Sequence, residues 1–484
     1  MKLPLLVLLP LTLLTVAACS SDDDKLDVTT DYDGIWTSAA YGTTFRIDGE
    51  TVEVFEHTSD YCLRSESFDE VSADDMRALF VLSADAQSMT DPGLYGTRDF
   101  HAPTQTYQRQ ADLPAVCLTP LTTQGEAGYT PQPELDFAVF AQTFDEYYLS
   151  FDLKGVDWAQ TQTTAALQVG PGTSDDALFE VLFDMIAPLR DSHVSISADA
   201  FGEASVDGKP TMIEQLLREY ADDHQLALPI PEAHVDAAID YIGAQLALME
   251  AITLGYAGDS AAIHQAANGM LVWYSVGEVS YLQIRAMGGF SDDPEDNAAE
   301  LAALEAGLDE VMNDIRDQQA LIVDLRLNNG GSDFLSLAIA SRFVGSAQQV
   351  YSKQARDGAS RTSLTAVTLA PRGEVQFLKP VVVLTSASTV SAAETFTLAM
   401  RSLPQVTLIG EATQGALSDM LERTLPNGFR FTLSNEFYLS NEGEWFEDSG
   451  IPVEIEVPYF SREQREEGID AGLEVAYEYL ASEG

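Results

Sequence analysis

From residue 270 onward, short apolar runs alternate with stretches whose apolar residues recur every three or four positions. VGEVSYLQI, ALIVDLRL, PVVVLTS and VTLIG read as strands. AAELAALEAGLDEVMNDIRDQ, DFLSLAIASRFV and AAETFTLAMRSL, lying between them, read as helices. Near-continuous apolar strands alternating with amphipathic helices predict a mostly parallel sheet with helices on both faces, over residues 270–460. In such a sheet the functional loops gather at the carboxyl ends of the strands.

Upstream the periods change. Residues 32–122 carry short alternating strands, and TTFRIDGETVEVFEH reads as a hairpin turning at Asp48-Gly49. A small all-β domain, barrel or sandwich, is expected there, followed by the proline-bearing linker TPLTTQGEAGYTPQPE. Residues 134–200 turn helical, with apolar residues three and four apart in FAVFAQTFDEYY and DALFEVLFDMIAPLR. MIEQLLREYADDH and AAIDYIGAQLALMEAI, separated by PIPEAH, predict a helical insertion over 201–269, and a C-terminal helix is expected over 461–484. The fold class is therefore an α/β core preceded by a small all-β domain and a helical subdomain.

The first nineteen residues, MKLPLLVLLPLTLLTVAAC, read instead as a bacterial export signal. Val16-Ala17-Ala18-Cys19 resembles a lipobox, in which cleavage leaves Cys19 as a lipidated N-terminus. Residues 20–31, with Asp22-Asp23-Asp24, are then a solvated acidic tether. Serine directly after Cys19 points to the outer membrane, facing the periplasm or the cell surface. The chain has 484 residues, with 25 basic against 77 acidic, a net charge of −52. That surface repels nucleic acid and anionic bilayers, so no nucleic-acid partner is expected, and membrane contact only through the lipid. Cys62 and Cys117, an even pair in an exported chain, favour a disulfide, the alternative being two buried thiols. The six histidines show no ligand spacing, so no metal is expected, and the reading reached below implies no organic cofactor. Oligomeric state is left open.

Two strand-to-helix loops could carry chemistry. Asn328-Asn329-Gly330-Gly331-Ser332 pairs glycines whose backbone N–H groups an oxygen can approach, or makes a plain tight turn. LTSASTVSAAETF, residues 384–396, holds six hydroxyls, and Ser391-Ala392-Ala393-Glu394 within it is a capping-box pattern. A serine nucleophile needs a proton acceptor. No lysine follows Lys379. Of the histidines, His193 stands apart, because Asp191-Ser192-His193 closes a helix and precedes the strand-like VSIS.

In order, DLRLNNGG, TSASTVSAAETF, IGEATQGA, LPNGF and WFEDSGIPVEIEV resemble the C-terminal processing (tail-specific) peptidase superfamily. LRDSHV resembles the branch that includes the tricorn-type core and the retinoid-binding repeats. The resemblance implies a serine endopeptidase-like hydrolase acting on peptide or protein substrates. It implies Ser391 as nucleophile, and the N–H groups of Ala392 and of Gly330 or Gly331 as oxyanion hole. The processing branch places its base, a lysine, where this chain has Ala416. The tricorn-like branch uses a histidine, a preceding serine and a glutamate, which His193, Ser192 and Glu447 resemble. An acid limb of activity near pH 6–7.5 is then expected, as for an ordinary histidine. No glycine-rich carboxylate-binding loop is seen between 200 and 270, so capture of protein C-termini is not supported. The other reading is a non-catalytic ligand- or peptide-binding protein on a peptidase-like scaffold.

Overall fold

The computed structural model describes residues 31–90, 105–258 and 261–483. The export signal, Cys19 and most of the acidic tether lie outside them, as does His101.

The apolar runs build a seven-stranded central sheet in the order His264–Ala266, Leu271–Val276, Val279–Ile284, Ala320–Asp324, Val381–Thr385, Val406–Gly410 and Ile455–Glu456. From Val279–Ile284 onward every pairing is parallel; the first three strands run antiparallel to one another. The stretch read as one strand, VGEVSYLQI, is the turn of a hairpin at Gly277-Glu278 followed by its second arm, with Gly277 at φ +60°. Alternation then sorts the core. Val381 and Val383 face Asn297–Ile315, Asp333–Ala340 and Ala392–Arg401, whereas Val382 and Leu384 face the C-terminal helix Ala471–Glu483. Both faces are covered, as an all-apolar parallel strand requires. The C-terminal segment is two helices rather than one, because Gly468 at φ +68° ends Arg462–Glu467.

Two four-stranded antiparallel sheets flank this core and were not legible in the periodicity. One is built on Gln348–Asp357 with Ser360–Arg361, Thr365–Leu369 and Glu436–Ser440. The other runs Met420–Thr424, Arg430–Ser434, Ser195–Ala198 and Gly202–Ser205. The second sheet takes the chain directly after His193 and pairs Ser195 with Thr432. Between 134 and 200 the helices Pro133–Tyr147, Trp158–Ala166 and Asp175–Ile186 precede that strand. In 201–269 the helices Met212–Asp223 and Glu232–Gly255 lie between the strands Gly202–Ser205 and His264–Ala266. Glu232–Gly255 is long and apolar enough to cross a bilayer by length and composition alone. It carries Asp236, Asp240 and Glu250, and packs Met249, Leu246 and Ile252 with Met212, Leu216, Tyr459 and Phe460.

The N-terminal domain differs from the expected barrel or sandwich. Among the described residues it is one open antiparallel sheet of seven strands, running from Cys62–Phe68 at one edge to Val81–Leu82 at the other. The short helix Ala73–Leu79 supplies Met76 to its core, so no second sheet is needed over that cluster. The Asp48-Gly49 hairpin is present, with Asp48 paired to Thr51 and Gly49 at φ +59°. Cys62 and Cys117 are disulfide-bonded, with Cα atoms 5.1 Å apart and 55 residues of separation. A closed loop of that length stabilises by about 4 kcal/mol in the chain-entropy account. The Cys62→Ala/Cys117→Ala variant is therefore expected to unfold about 4 kcal/mol more readily in urea. Unchanged midpoint and slope would show that the bridge adds nothing.

Candidate functional site

Four loops leave the carboxyl ends of adjacent central strands and meet at the start of the helix Ala392–Arg401. In the loop read as rich in hydroxyls, five of the six are consumed by structure. Thr385 Oγ1 donates to the Glu411 carbonyl (2.7 Å), Ser386 Oγ to that of Arg326 (2.6 Å) and Thr389 Oγ1 to that of Leu325 (2.9 Å). Ser388 Oγ accepts from the Met212 N–H (2.7 Å), and Thr395 Oγ1 donates to Asp333 Oδ1 (2.7 Å). All five are buried. Ser391, unlike these, is partly exposed, and its hydroxyl donates to no neighbouring carbonyl or carboxylate.

The reason is backbone geometry. Ser391 sits at φ +58°, ψ −126° rather than in the extended conformation of an ordinary N-cap. A non-glycine residue held there costs of order 1–3 kcal/mol, so the surroundings must impose it. The capping box contributes its other arm: the Ser391 N–H donates to Glu394 Oε2 at 3.2 Å. Glu394 is fully buried, and its carboxylate also accepts from Thr413 Oγ1 (2.6 Å), the Gly415 N–H (2.7 Å) and the Ala416 N–H (2.8 Å). Burial raises its pKa, and these donors oppose the rise.

The glycine loop backs onto the same point. A Cβ on Gly330 would lie 2.7 Å from Ser391 Cβ and 2.9 Å from the Ala392 nitrogen, and φ is +95°. Only glycine fits. The Gly330 N–H, however, donates to Asn328 Oδ1 at 2.9 Å, so of the two glycines named from sequence it is not the free donor. Met287 bridges this loop through the Gly330 carbonyl and the Ser332 N–H, each at 2.8 Å, leaving the Gly331 N–H out of the ladder.

His193 is buried, 6% exposed, on a turn built by Asp191. Asp191 Oδ1 accepts the His193 N–H (3.0 Å) and the Ser434 hydroxyl (3.2 Å), and Oδ2 accepts the Tyr148 hydroxyl (3.0 Å). The His193 carbonyl accepts from Thr432 Oγ1 at 2.9 Å. Glu447 is 2% exposed, and its Oε2 accepts the N–H groups of Leu417 and Ser418, both at 3.1 Å. Three atoms are left over: Ser192 Oγ, His193 Nδ1 and Glu447 Oε1 are buried without a hydrogen-bond partner. Each such orphan costs about 1–3 kcal/mol, so three on residues picked out together by sequence call for an explanation. The Glu447 pKa is raised well above the ordinary glutamate range, first by burial, then by the Asp191 and Glu394 carboxylates, with Lys154 opposing.

Ala416 contributes only its backbone and a buried methyl where the processing branch has lysine. A lysine does reach this loop from elsewhere. Lys209 Nζ donates to the carbonyls of Thr413 (2.5 Å) and Ser449 (2.6 Å), and burial lowers its pKa. Nothing in Asp207-Gly208-Lys209-Pro210 signalled that contact, which depends on how the insertion docks. Among the described residues no group of three His, Cys, Asp or Glu side chains is placed to hold a metal ion.

An acid with a raised folded-state pKa holds its proton in the native state while the unfolded chain has lost it. Stability therefore falls as pH rises from the ordinary glutamate range toward the raised value. Glu447→Gln removes this contribution, so its unfolding free energy is expected to fall less than that of the unmodified protein between about pH 5 and pH 8. Parallel pH curves for the two proteins would refute a raised Glu447 pKa.

Residues 278–457 match the sequence profile of Peptidase family S41. The carboxy-terminal processing protease CtpA of Bacillus subtilis (strain 168) is 25% identical over 162 residues, 32% of this chain and 34% of that one. The chain thus spans about a third of the length of this curated relative. A crystal structure from Parabacteroides merdae ATCC 43184, described as a candidate peptidase, is 24% identical, with a TM-score of 0.57 covering 73% of this chain and 98% of that one. Mature CPAF is 16% identical, covering 72% of this chain and 95% of that one at a TM-score of 0.49. Residues 278–457 are thus similar in sequence profile to Peptidase family S41, and the chain shares its fold with the Parabacteroides merdae structure.

Proposed function

We propose that the chain is a serine peptidase that hydrolyses peptide bonds through an acyl-enzyme. One observation carries the reading: the single uncommitted hydroxyl of the hydroxyl-rich loop belongs to Ser391, held at positive φ at the start of a buried helix. A strained turn that frees a serine hydroxyl beside helix N–H groups is what a nucleophile requires and what a cap does not.

In this mechanism Ser391 Oγ attacks the scissile carbonyl and His193 takes its proton. Charge developing on the carbonyl oxygen is met by the N–H groups of Ala392 and Gly331, each contributing about 3–4 kcal/mol to the transition state. His193 then protonates the leaving amine, and water releases the acyl group by the reverse sequence. Ser192 and Glu447 hold the imidazole in place, and pairing among these side chains would satisfy the orphaned atoms. Substrates are peptides or proteins. The lipobox-like Val16-Ala17-Ala18-Cys19 supports a lipid anchor in a bacterial envelope, with the serine after Cys19 favouring the outer membrane.

A fluorescent serine-directed phosphonate is expected to label Ser391 stoichiometrically, and Ser391→Ala to abolish both labelling and cleavage of dye-quenched casein. His193→Ala is expected to lose at least about a hundredfold in turnover, within the range of a general base. Lys379→Ala, whose ammonium binds the Arg316 and Gln318 carbonyls, is expected to retain full turnover. Absence of the Ser391 adduct, or casein turnover that survives Ser391→Ala, would leave a peptide-binding scaffold as the reading.

A further inference from the structure

The relay is split between two turns remote in sequence, Arg190–His193 and Glu447–Ser449, and both are strained next to their functional residues. Arg190 has φ +47° and Asp448 has φ +66°, left-handed values for residues with a Cβ. One side chain touches both turns. Lys154 Nζ lies 2.9 Å from Asp448 Oδ1 and 3.5 Å from the Arg190 carbonyl, and the side chain is only 3% exposed. Its position is set locally. Ser150 caps the one-turn helix Phe151–Lys154, Gly155 ends it at φ +66°, and the Phe151 ring stacks on Trp158 with centroids 4.8 Å apart.

We propose that Lys154 is a positioning residue for catalysis, a strap that holds the Ser192–His193 turn against the Glu447 turn; this rests on the serine-peptidase reading above. Geometry and charge agree. A buried ammonium with one carboxylate and one carbonyl as acceptors fixes the separation of the two turns. It also supplies positive charge beside a group of acids, since Glu447 is surrounded by the fields of Asp191 and Glu394 and Asp448 follows it in the chain. A second connection runs parallel to it. Arg190 Nη2 donates to the Gly208 carbonyl at 2.8 Å, and Lys209 binds Thr413 and Ser449. That route passes through the insertion, whereas Lys154 joins the turns directly.

The test is the kinetics of phosphonate labelling at Ser391, which needs no known substrate. In Lys154→Met the maximal labelling rate is expected to fall about 10- to 100-fold at an unchanged half-saturating probe concentration, the size of loss caused by misplacing a catalytic group by an ångström. Lys154→Arg, which can span the same two acceptors, is expected to recover to within about threefold of the unmodified rate. Asp448→Asn is expected to lose less than Lys154→Met, and the double variant to be no slower than Lys154→Met alone. A folded Lys154→Met with the unmodified rate overturns the strap. So does an equal loss in Lys154→Arg, or additive losses in the double variant. Should Lys154→Met fail to fold, an unaltered maximal rate in Asp448→Asn overturns it. Failure of the unmodified protein to label at Ser391 instead removes the peptidase reading itself, so the two failures are distinguishable.

Discussion

Four consecutive backbone N–H groups, those of Gly415, Ala416, Leu417 and Ser418, are shared between two buried carboxylates. Glu394 takes the first pair and Glu447 the second. The turns that carry Ser391 and Glu447 are both placed by this grip. Glu394 also holds the Ser391 N–H, so the Ser391 turn, the loop after Val406–Gly410 and the Glu447 turn form one hydrogen-bonded body. Two acids this close in a dry interior are tolerable because N–H donors solvate them, and because burial keeps protons on them more readily than water would. Replacing backbone donors with side chains would make the loop depend on rotamers. Backbone donors make it depend only on chain path.

The N-terminal domain meets this body from the far side. Tyr41 donates its hydroxyl to buried Glu436, whose own N–H donates to Ser418 Oγ at 3.0 Å. Lys353 pairs with the same carboxylate at 3.2 Å. The Arg423 guanidinium donates to the Tyr41 carbonyl, and Tyr147 to that of His57 at 2.7 Å. The domain is therefore joined by polar contacts that end on Ser418, whose own N–H is held by Glu447.

Sequence made the parallel strands Ala320–Asp324, Val381–Thr385 and Val406–Gly410 legible because they read as short apolar runs, whereas the strands His264–Ala266, Leu271–Val276 and Ile455–Glu456 of the same sheet were not read. The strands Gln348–Asp357, Met420–Thr424 and Arg430–Ser434 were not legible, since each mixes charged and apolar residues without a clean period. Ser391 was nominated by motif order, while its S-x-x-E pattern is met chiefly through Glu394, which holds the Ser391 N–H. Gly330 against Gly331 could not be separated from sequence, because the decision rests on where the Asn328 side chain points. Lys154 and Lys209 were invisible for the same kind of reason. Both act on segments more than two hundred residues away, and no local pattern encodes such a contact.

The positive φ of Ser391 has an evolutionary reading. Glycine would relieve the strain at that position and remove nothing from the hydrogen-bonded body, because Glu394 grips the backbone N–H and not the hydroxyl. Selection for thermodynamic robustness alone would drift residue 391 toward glycine. A serine there therefore carries a strain that the hydrogen-bonded body does not require and that only a use for its side chain would justify.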